Sequence, residues 1–421
     1  MTAVVSAPAT YVIVGASLAG AKAAEALRKH GFDGRVLLIG AEPDRPYERP
    51  PLSKGYLAGS DARDTIFVHE SAWYAEQGVE LRLGTRVTVI DPAAHEITVG
   101  SGERVAYTKL LLATGATPRR LTAPGSDLDG IHYLRDVADS ESLRDGLAGG
   151  GKRVVVVGAG WIGLETAAAA RGHGNDVTVV EPEAAPLHAV LGPELGAMFG
   201  RLHLEHGVDL QLRTGVTGFR GSAGRVTGVL TDRGDVLPAD VVIIGVGARP
   251  NTELAGAAGV AVDNGVVVDA ALRSSSPDVF AAGDVANAFN PRLARHLRVE
   301  HWSNARASGQ AAARSMLGQA VTYNPVPYFF TDQYDLGMEY AGFAGVGDYD
   351  RIVYRGDLDA RRFIAFWLAA DRVVAGMNVN VWDVNNGIKE LIRSGVRVDE
   401  RALQDPDVPL DALAAVRATV S

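Results

Sequence analysis

Short apolar runs that end in glycine-rich turns dominate the start of the chain. The apolar residues 11–14 are followed by Gly15-Ala-Ser-Leu-Ala-Gly20 and by an alanine-rich segment, residues 21–27. A second apolar run, residues 36–39, ends close to Glu42. An apolar run of strand length, a glycine turn and an alanine-rich segment predict a strand, a tight turn and a helix. We therefore predict a βαβ unit here.

The same pattern returns later in the chain. The apolar residues 154–157 lead into Gly158-Ala-Gly-Trp-Ile-Gly163, a helical segment follows at residues 164–170, and the strand pattern 177–180 ends at Glu181. Two βαβ units with the same turn form an internal repeat, which predicts two mononucleotide-binding domains of similar design.

Other apolar runs indicate how the chain divides. Residues 110–116 and 241–250 are buried-strand patterns closed by glycine, and we interpret them as paired points where the chain leaves the first domain and re-enters it. After about Tyr323, alternating aromatic segments predict an antiparallel sheet. We predict an α/β protein with two Rossmann-like nucleotide-binding domains and a C-terminal α+β domain. The predicted boundaries are 8–117 with 246–322 for the first domain, 118–245 for the second and 323–421 for the third.

The composition is that of an ordinary globular protein, 47% hydrophobic and 22% charged over 421 residues. Its longest apolar runs fall well short of the roughly 20 residues that a membrane-spanning helix needs. The N-terminal segment carries no basic residue before the first strand, so we expect no signal peptide, no membrane attachment and a cytoplasmic location. A formal net charge of −9 disfavours nucleic acid as a partner.

The chain contains no cysteine. Disulfide exchange, thiolate catalysis and iron–sulfur ligation each need a thiolate, so residues of this chain cannot perform any of them. Enzymes that pass electrons through a cysteine of their own are thereby excluded.

The second glycine loop carries the complete pattern of a dinucleotide site. A glycine loop between strand and helix aims backbone N–H groups and the positive end of the helix dipole at a diphosphate. Gly158, Gly160 and Gly163 have the required spacing, and Glu181 ends the next strand, where an acid can hold both ribose hydroxyls. A 2′-phosphate beside this carboxylate would be repelled, so we predict NADH rather than NADPH as the nucleotide.

The first loop has Gly15 and Gly20 in place but carries Ser17 at the middle glycine position. Serine is small enough to admit a phosphate, and Glu42 supplies the acid at the end of the next strand. Further along, Asp284 follows a strand pattern and precedes a predicted helix, where an aspartate can bond the ribityl chain of FAD or cap the helix. We predict that the first loop binds FAD.

Seven short motifs occur in an order that resembles one enzyme family. They are Gly15-x-Ser-x-x-Gly20, Arg49-Pro-Pro-Leu-Ser-Lys54, Ala113-Thr-Gly115, Gly158-x-Gly-x-x-Gly163-Leu-Glu165, Gly247-x-Arg-Pro-Asn251, Gly283-Asp284 and Glu300-His-Trp-Ser-Asn304. Together they resemble, over nearly the whole chain, the FAD- and NADH-dependent ferredoxin reductases of bacterial oxygenase systems. The resemblance implies a glutathione-reductase-like flavoprotein fold. It also implies a [2Fe–2S] ferredoxin as the acceptor, which would serve an oxygenase such as a cytochrome P-450 or an aromatic-ring dioxygenase.

The same resemblance implies roles for single residues. Lys54 is expected beside the flavin N5, paired with Glu165, which orients the nicotinamide and the lysine. The alternatives are a helix-capping lysine and a solvated helical acid. Trp302 is expected near the pyrimidine edge of the flavin, although core packing would also explain it. The remaining expected contacts are Arg49, Ala113, Thr114, Gly115 and Gly283 with FAD, and Gly247 with NADH.

The block Pro327-Tyr-Phe-Phe-Thr-Asp-Gln333 departs from the family pattern. The family often has Pro-Trp-x-Trp-Ser-Asp-Gln here, with tryptophans that cover the flavin. Tyr328 and Phe330 keep the aromatic character, so we expect them to shield the ring, but an electron route through tryptophan has no residue to support it.

Two groups of basic residues could bind a partner, one a metal ion and the other a protein. His203 and His206 share a predicted helix face with charged neighbours, which favours a surface position over metal binding, and we predict no metal site. Five arginines lie in a segment whose only acid is Glu300, and they form a candidate docking surface for an acidic ferredoxin or, alternatively, the solvated face of a helix. These are Arg292, Arg295, Arg298, Arg306 and Arg314.

Three alternative functions remain open from the sequence. They are a rubredoxin reductase, a monodehydroascorbate-type reductase, and an NADH-sensing flavoprotein resembling apoptosis-inducing factor, in which partner binding matters more than turnover. The shared fold does not determine the electron acceptor.

Overall fold

The computed structural model describes residues 9–345 and 347–415. Residues 1–8, on which the expectation about a signal peptide rests, lie outside the described residues, as do residues 416–421 of the predicted C-terminal domain. The described chain forms two compact units. The first contains the residues up to Arg49, Ala62–Thr117 and Ala248–Pro325; the second contains Pro50–Asp61, Pro118–Gly247 and the residues from Val326 onward. The division into three domains, with its boundaries, stays a prediction.

A five-stranded parallel sheet forms the centre of the first unit. Its middle strands are buried on both faces, and Val12, Ile13, Leu37 and Leu110 have no solvent exposure. A strand covered on both faces is apolar throughout instead of alternating, which explains the uninterrupted apolar runs in the sequence. From edge to edge the strands are Val279–Ala281, Lys109–Leu112, Thr10–Val14, Arg35–Ile39 and Val79–Arg82.

Two helices of the first unit, Leu18–Lys29 and Trp302–Met316, pack closely against each other. A Cβ at Gly309 would lie 2.3 Å from the carbonyl oxygen of Ala19, so only glycine permits this approach. The other helices are Ser71–Glu76 and Glu253–Ala257, with 3₁₀ turns at Arg63–Ile66 and Gly283–Val285. Smaller sheets are formed by Val87–Asp91, Glu96–Val99 and Arg104–Ala106, by Val266–Val268, Ala286–Asn290 and Arg295–Arg298, and by Ala116–Pro118 with Ala248–Pro250 at the two predicted crossing points.

The second unit contains a parallel sheet of the same kind. Its strands are, in order, Asp209–Leu212, Asp176–Glu181, Arg153–Val157, Val241–Ile244 and Ile131–His132. An antiparallel sheet of Val216–Ser222, Arg225–Thr231 and Val236–Pro238 belongs to the same part of the chain. The helices are Gly55–Ala58, Val137–Leu147, Trp161–Gly172 and His188–Glu205, with a 3₁₀ turn at Pro50–Ser53. The helix His188–Glu205 is broken at Gly192, whose φ of 78° favours glycine.

The predicted antiparallel sheet in the C-terminal part is present. Its strands are, in order, Tyr328–Gln333, Leu336–Gly342, Arg372–Val379, Arg362–Ala369 and Arg351–Asp357. The helices Asn385–Ser394, Glu400–Gln404 and Leu410–Ala415 follow. Two parallel sheets with glycine loops and a C-terminal α+β region confirm the predicted fold class.

One apolar core joins this antiparallel sheet to the helices beside the second glycine loop. The ring of Trp161 lies 5.6 Å from that of Phe199 and 4.9 Å from that of Phe329. Deeper in the same core, Tyr340 lies 5.2 Å from the fully buried Trp367. The helix Trp161–Gly172 is therefore fixed against the strand Tyr328–Gln333, and this packing positions Glu165.

Candidate cofactor sites

The outer glycines of both glycine loops are required by the backbone around them. Gly15 has a φ of 120°, and a Cβ there would lie 2.0 Å from a carbonyl oxygen that follows the neighbouring strand. Gly158 has a φ of 99° and would place a Cβ 2.6 Å from the equivalent oxygen in its own unit. At Gly20 and Gly163 a Cβ would lie 2.0 Å from the carbonyl oxygen of the first glycine of the loop. The two loops thus share one backbone design.

The middle position of the loop has no such restriction. Gly160 is extended, with φ −77° and ψ −177°, and no atom lies within 4 Å of a Cβ built there. Ser17 is also extended, with φ −116° and ψ −164°, directly before its helix. The packing of the protein therefore admits a side chain at this position, which explains why serine can replace glycine in the first loop. Both loops fit a diphosphate bound by backbone N–H groups at a helix N-terminus.

Glu42 lies in a charged cluster of the first unit. Its carboxylate accepts a hydrogen bond from the Tyr47 hydroxyl and forms an ion pair of 2.7 Å with Arg49. Burial would lower the pKa of Arg49, but Tyr47, Glu42 and Asp284 together raise it. Glu42, Arg49 and Asp284 therefore lie close together. That they contact FAD stays a prediction.

Asp284 does not precede a long helix, and that expectation was wrong. It lies in the 3₁₀ turn Gly283–Val285, which leads directly into the strand Ala286–Asn290. Gly283 has a φ of 76°, and its N–H donates to Ser308 on the helix Trp302–Met316 at 2.9 Å. A helix is thus held beside the turn, but it comes from a later part of the chain.

The side chain and carbonyl oxygen of Asn251 fix the segment Ala113-Thr-Gly115. The Asn251 amide donates to the Thr114 carbonyl oxygen, and the Thr114 hydroxyl donates back to the Asn251 carbonyl oxygen, both at 2.8 Å. The Thr117 hydroxyl donates to the Asn251 side-chain oxygen at 2.7 Å. The position of Asn251 in the motif Gly247-x-Arg-Pro-Asn251 is the only sequence feature that points to this contact.

Trp302 begins the helix Trp302–Met316 and is half-buried, with the Arg306 guanidinium 5.5 Å from its ring centre. It is therefore not simply a core residue. Its predicted position beside the flavin stays a prediction.

Glu181 is held at the second glycine loop by two backbone contacts. The N–H of Ala159 donates to its carboxylate at 2.6 Å, and the N–H of Glu183 donates at 3.0 Å. Gly247, with a φ of 95°, accepts a 2.9 Å hydrogen bond from the N–H of Arg119 through its carbonyl oxygen. A carboxylate fixed beside the loop favours a nucleotide without a 2′-phosphate.

Lys54 and Glu165 form the predicted ion pair, at 2.7 Å within the second unit. Glu165 is only 4% exposed, which rules out a solvated helical acid. Its two oxygens have two further donors that the sequence did not predict, since Thr331 donates to Oε1 at 2.6 Å and Ser53 donates to Oε2 at 2.5 Å. A buried ionised carboxylate needs such partners, and here it has three.

The aromatic block places its two predicted residues on one face of the strand Tyr328–Gln333. The Lys54 ammonium lies 5.5 Å from the centre of the Phe330 ring. The Tyr328 hydroxyl donates to Glu339 at 2.7 Å, and the Lys389 ammonium lies 4.1 Å from the Tyr328 ring. Burial and then Glu339 raise the pKa of Tyr328, so it stays protonated. That these rings shield a flavin stays a prediction.

The surface interpretation of His203 was wrong. The side chain has no solvent exposure, and its Nε2 lies 2.8 Å from Oε1 of Gln333. Burial lowers the pKa of His203 to about 4, so the ring is neutral at physiological pH. His206 stacks on Tyr334 with a ring separation of 3.7 Å. The helix face that carries these residues packs against the C-terminal sheet. No local pattern in the sequence predicts that contact.

The five arginines of the basic segment differ in their surroundings. Arg298 is mostly buried and pairs with Glu300, so this arginine is occupied within its own unit. Arg314 is exposed and bonds Gln319, and Arg306 lies over Trp302. Arg292, shortly before the strand Arg295–Arg298, and Arg295, at its start, are both exposed.

Within residues 9–345 and 347–415, no helix is both long enough and apolar enough to cross a membrane. The same residues contain no group of three or more His, Asp or Glu side chains that could hold a metal ion.

A parallel sheet with a dinucleotide loop in each unit defines a two-nucleotide oxidoreductase, and comparison with known proteins agrees. The family model described as pyridine nucleotide-disulphide oxidoreductase matches residues 9–309, and a reductase C-terminal model matches residues 328–414. This chain belongs to the pyridine nucleotide-disulphide oxidoreductase family. The membership bears out the predicted enzyme class, an FAD-dependent oxidoreductase, and the predicted cofactors, FAD and NADH.

The relatives also confirm the resemblance drawn from the motifs. The ferredoxin–NAD(+) reductase component of the anthranilate 1,2-dioxygenase system of Burkholderia cepacia is 43% identical, over 95% of this chain and 98% of its own. Putidaredoxin reductase of Pseudomonas putida is 37% identical, over 97% of this chain and 98% of its own. A chain in the crystal structure of the covalent putidaredoxin reductase–putidaredoxin complex matches with a TM-score of 0.93 at 37% identity, covering 97% of this chain and 99% of that one.

Proposed function

We propose that this protein is an NADH-dependent ferredoxin reductase that uses FAD and passes single electrons to a [2Fe–2S] ferredoxin of an oxygenase system. The observation that carries the proposal is the repeated dinucleotide loop, with an acid on each following strand, in a chain without cysteine. Relatives of this fold that reduce disulfides need a thiolate, which no residue here can supply. An external one-electron acceptor is the alternative that fits.

The first loop, with Gly15, Ser17 and Gly20, would hold the FAD diphosphate. Glu42 would hold the adenosine ribose, and the other FAD contacts are Arg49, Lys54, Ala113, Thr114, Gly115, Gly283, Asp284 and Trp302. When bound, FAD supplies hydride acceptance and the release of electrons one at a time. NADH would be held by Gly158, Gly160, Gly163, Glu165, Glu181 and Gly247.

Lys54 and Glu165 are the proposed catalytic residues. The lysine supplies a fixed positive charge where negative charge accumulates during hydride transfer. Glu165 fixes the ammonium through the 2.7 Å ion pair and remains charge-balanced although it is buried. The pair needs no reorganisation during the reaction because the carboxylate already has all three partners in place.

The proposed ferredoxin docks on the basic segment around the strand Arg295–Arg298. The chain carries a net charge of −9, so an acidic ferredoxin would be repelled by most of its surface. Exposed Arg292 and Arg295 offer a local surface of opposite charge, with Arg306 and Arg314 on the following helix. Arg298 contributes less, because Glu300 already pairs with it.

The test combines the purified FAD-loaded protein with NADH, a [2Fe–2S] ferredoxin and cytochrome c. We expect cytochrome c reduction that depends on the ferredoxin and is much faster with NADH than with NADPH. Reduction through rubredoxin but not through any ferredoxin of a panel would show the rubredoxin alternative. Slow reduction with every carrier, together with an NADH-induced change in self-association, would favour a sensing flavoprotein and sink the proposal.

A further inference from the structure

Three buried side chains connect Glu165 to the helix His188–Glu205 in the second unit. The Thr331 hydroxyl lies 2.6 Å from Oε1 of Glu165, and the Gln333 amide nitrogen lies 3.2 Å from the Thr331 hydroxyl oxygen. Nε2 of His203 lies 2.8 Å from the Gln333 side-chain oxygen. None of Thr331, Gln333 and His203 is more than 1% exposed. Of these contacts, only the one between Thr331 and Glu165 involves a proposed cofactor-binding residue.

Glu165, at the end of this series of contacts, determines the direction of every hydrogen bond in it. An ionised Glu165 can only accept, so the single Thr331 hydroxyl proton must point to it. The Thr331 oxygen then has to accept, and the Gln333 NH₂ group is its donor. The Gln333 oxygen is left facing His203, whose Nε2 must carry the proton. All three donors therefore point along the chain toward the carboxylate.

We propose that Thr331, Gln333 and His203 are positioning residues that hold the Glu165 carboxylate correctly oriented for Lys54. The inference rests on the proposed function, in which Glu165 and Lys54 serve hydride transfer. Hydrogen bonds in a buried chain polarise one another, so the donation from His203 strengthens the one that Thr331 makes. These three residues therefore act on the proposed catalytic pair through Glu165.

The surroundings of both ends support this arrangement. The charged groups that face Glu165 are Lys54 at 2.7 Å and, more distantly, the exposed Asp332, while Ser53 adds a neutral donor. At the other end, the Tyr334 hydroxyl lies 3.4 Å from Nδ1 of His203, and His206 is the nearby titratable group. Because burial keeps the pKa of His203 at about 4, the neutral ring with a proton on Nε2 persists through physiological pH.

Removal of the Thr331 hydroxyl separates this role from simple packing. Thr331→Val keeps the shape and deletes the donor, whereas Thr331→Ser keeps the donor. Thr231, which is 6% exposed and bonds the Asp235 backbone, gives a matched control as Thr231→Val in the same unit. The measured step is the loss of flavin absorbance when the FAD-loaded protein is mixed with NADH.

Thr331→Val should slow the step about tenfold at pH 7, as expected for one lost charge-assisted hydrogen bond. Thr331→Ser should restore the rate, and Thr231→Val should leave it unchanged. The same loss in Thr331→Ser, or an unchanged rate in Thr331→Val, would overturn the inference. Absence of flavin reduction in the unaltered protein would instead overturn the proposed function.

A second readout does not involve activity. Nitrogen-15 NMR of histidine-labelled protein without NADH should show His203 neutral at pH 7 and protonated on Nε2. His203→Gln, which keeps a donor near this point, identifies the resonance by its disappearance. A neutral ring with its proton on Nδ1 would reverse the last donor of the series and contradict the inference.

Discussion

Glu181 provides the clearest residue-scale control of nucleotide choice. The N–H groups of Ala159 and Glu183 fix its carboxylate beside the second glycine loop, so the negative charge cannot move away from an incoming phosphate. We predict that Glu181→Gln raises kcat/KM for NADPH relative to NADH about tenfold, because removing one like-charge contact is worth on the order of 1.4 kcal/mol. Steady-state kinetics with both nucleotides measure the ratio.

The control for this substitution is Glu253→Gln, the same chemical change at an exposed helix position paired with Arg249. It should leave the nucleotide ratio unchanged. Equal efficiency with NADH and NADPH in the unaltered protein would refute the assignment of Glu181.

Lys54 is the second residue-scale test. Its ammonium is shared between Glu165 and the face of Phe330, and it is the only cation in an ion pair with that buried acid among the described residues. We predict that Lys54→Met slows flavin reduction by NADH at least tenfold, because a fixed positive charge is lost and Glu165 is left with neutral donors alone. Rapid mixing under anaerobic conditions measures the rate. Lys29→Met, at an exposed helix end, is the matched control, and an equal rate in both variants would refute the role.

At the scale of elements, the glycine loops separate folding from binding. Gly158 requires a positive φ and has a carbonyl oxygen 2.6 Å from any Cβ, whereas Gly160 has neither restriction. We predict that Gly158→Ala lowers the free energy of unfolding by about 1–3 kcal/mol. Gly160→Asp should fold normally but weaken NADH binding, because a carboxylate larger than serine would fill the place of the diphosphate and repel its negative charge.

Urea unfolding and the KM for NADH measure the two effects. The prediction fails if Gly160→Asp destabilises the protein as much as Gly158→Ala does, or if it leaves the KM unchanged.

The elements that the sequence predicts well are those whose signals are local. Strands buried on both faces need uninterrupted apolar runs, and the tight turns need glycine, so both loops and both parallel sheets were identified from short segments. Contacts between distant segments leave no local signal. Thr331 and Glu165 are 166 residues apart, and His203 and Gln333 are 130 apart. For that reason the sequence predicts neither the Ser53 and Thr331 donors of Glu165 nor the burial of His203.

At the scale of the whole molecule, the buried His203 makes stability depend on pH. Its pKa is about 4 in the folded protein and about 6.5 in the unfolded chain. Between these values the unfolded chain binds more protons, so this contribution is complete above about pH 6.5 and is lost as the pH falls toward 4. We predict that His203 alone lowers the free energy of unfolding by about 2 kcal/mol from pH 7 to pH 5.

The measurement compares urea unfolding of the unaltered protein and His203→Gln at both pH values. The variant should lose about 2 kcal/mol less on acidification, since glutamine does not titrate. Identical pH dependence in the two proteins would show that folding does not lower the pKa of His203.

The basic segment is the feature that would let this acidic protein attract an acidic ferredoxin. With a net charge of −9 the protein has to rely on a local basic surface, and such steering acts on the association rate and weakens with salt. We predict that Arg292→Glu with Arg295→Glu lowers the second-order rate of ferredoxin reduction about tenfold at low ionic strength, with a difference that shrinks toward 0.5 M salt, where the Debye length is only a few ångströms.

Arg220→Glu tests charge alone, because Arg220 is an exposed arginine on the strand Val216–Ser222, away from the basic segment in sequence. It should affect ferredoxin reduction far less than the double variant. Ferricyanide, a small acceptor that needs no protein docking surface, distinguishes docking from chemistry. If the double variant lost as much activity with ferricyanide as with ferredoxin, the arginines would act on the cofactor and not on the partner, and the docking surface would have to lie elsewhere.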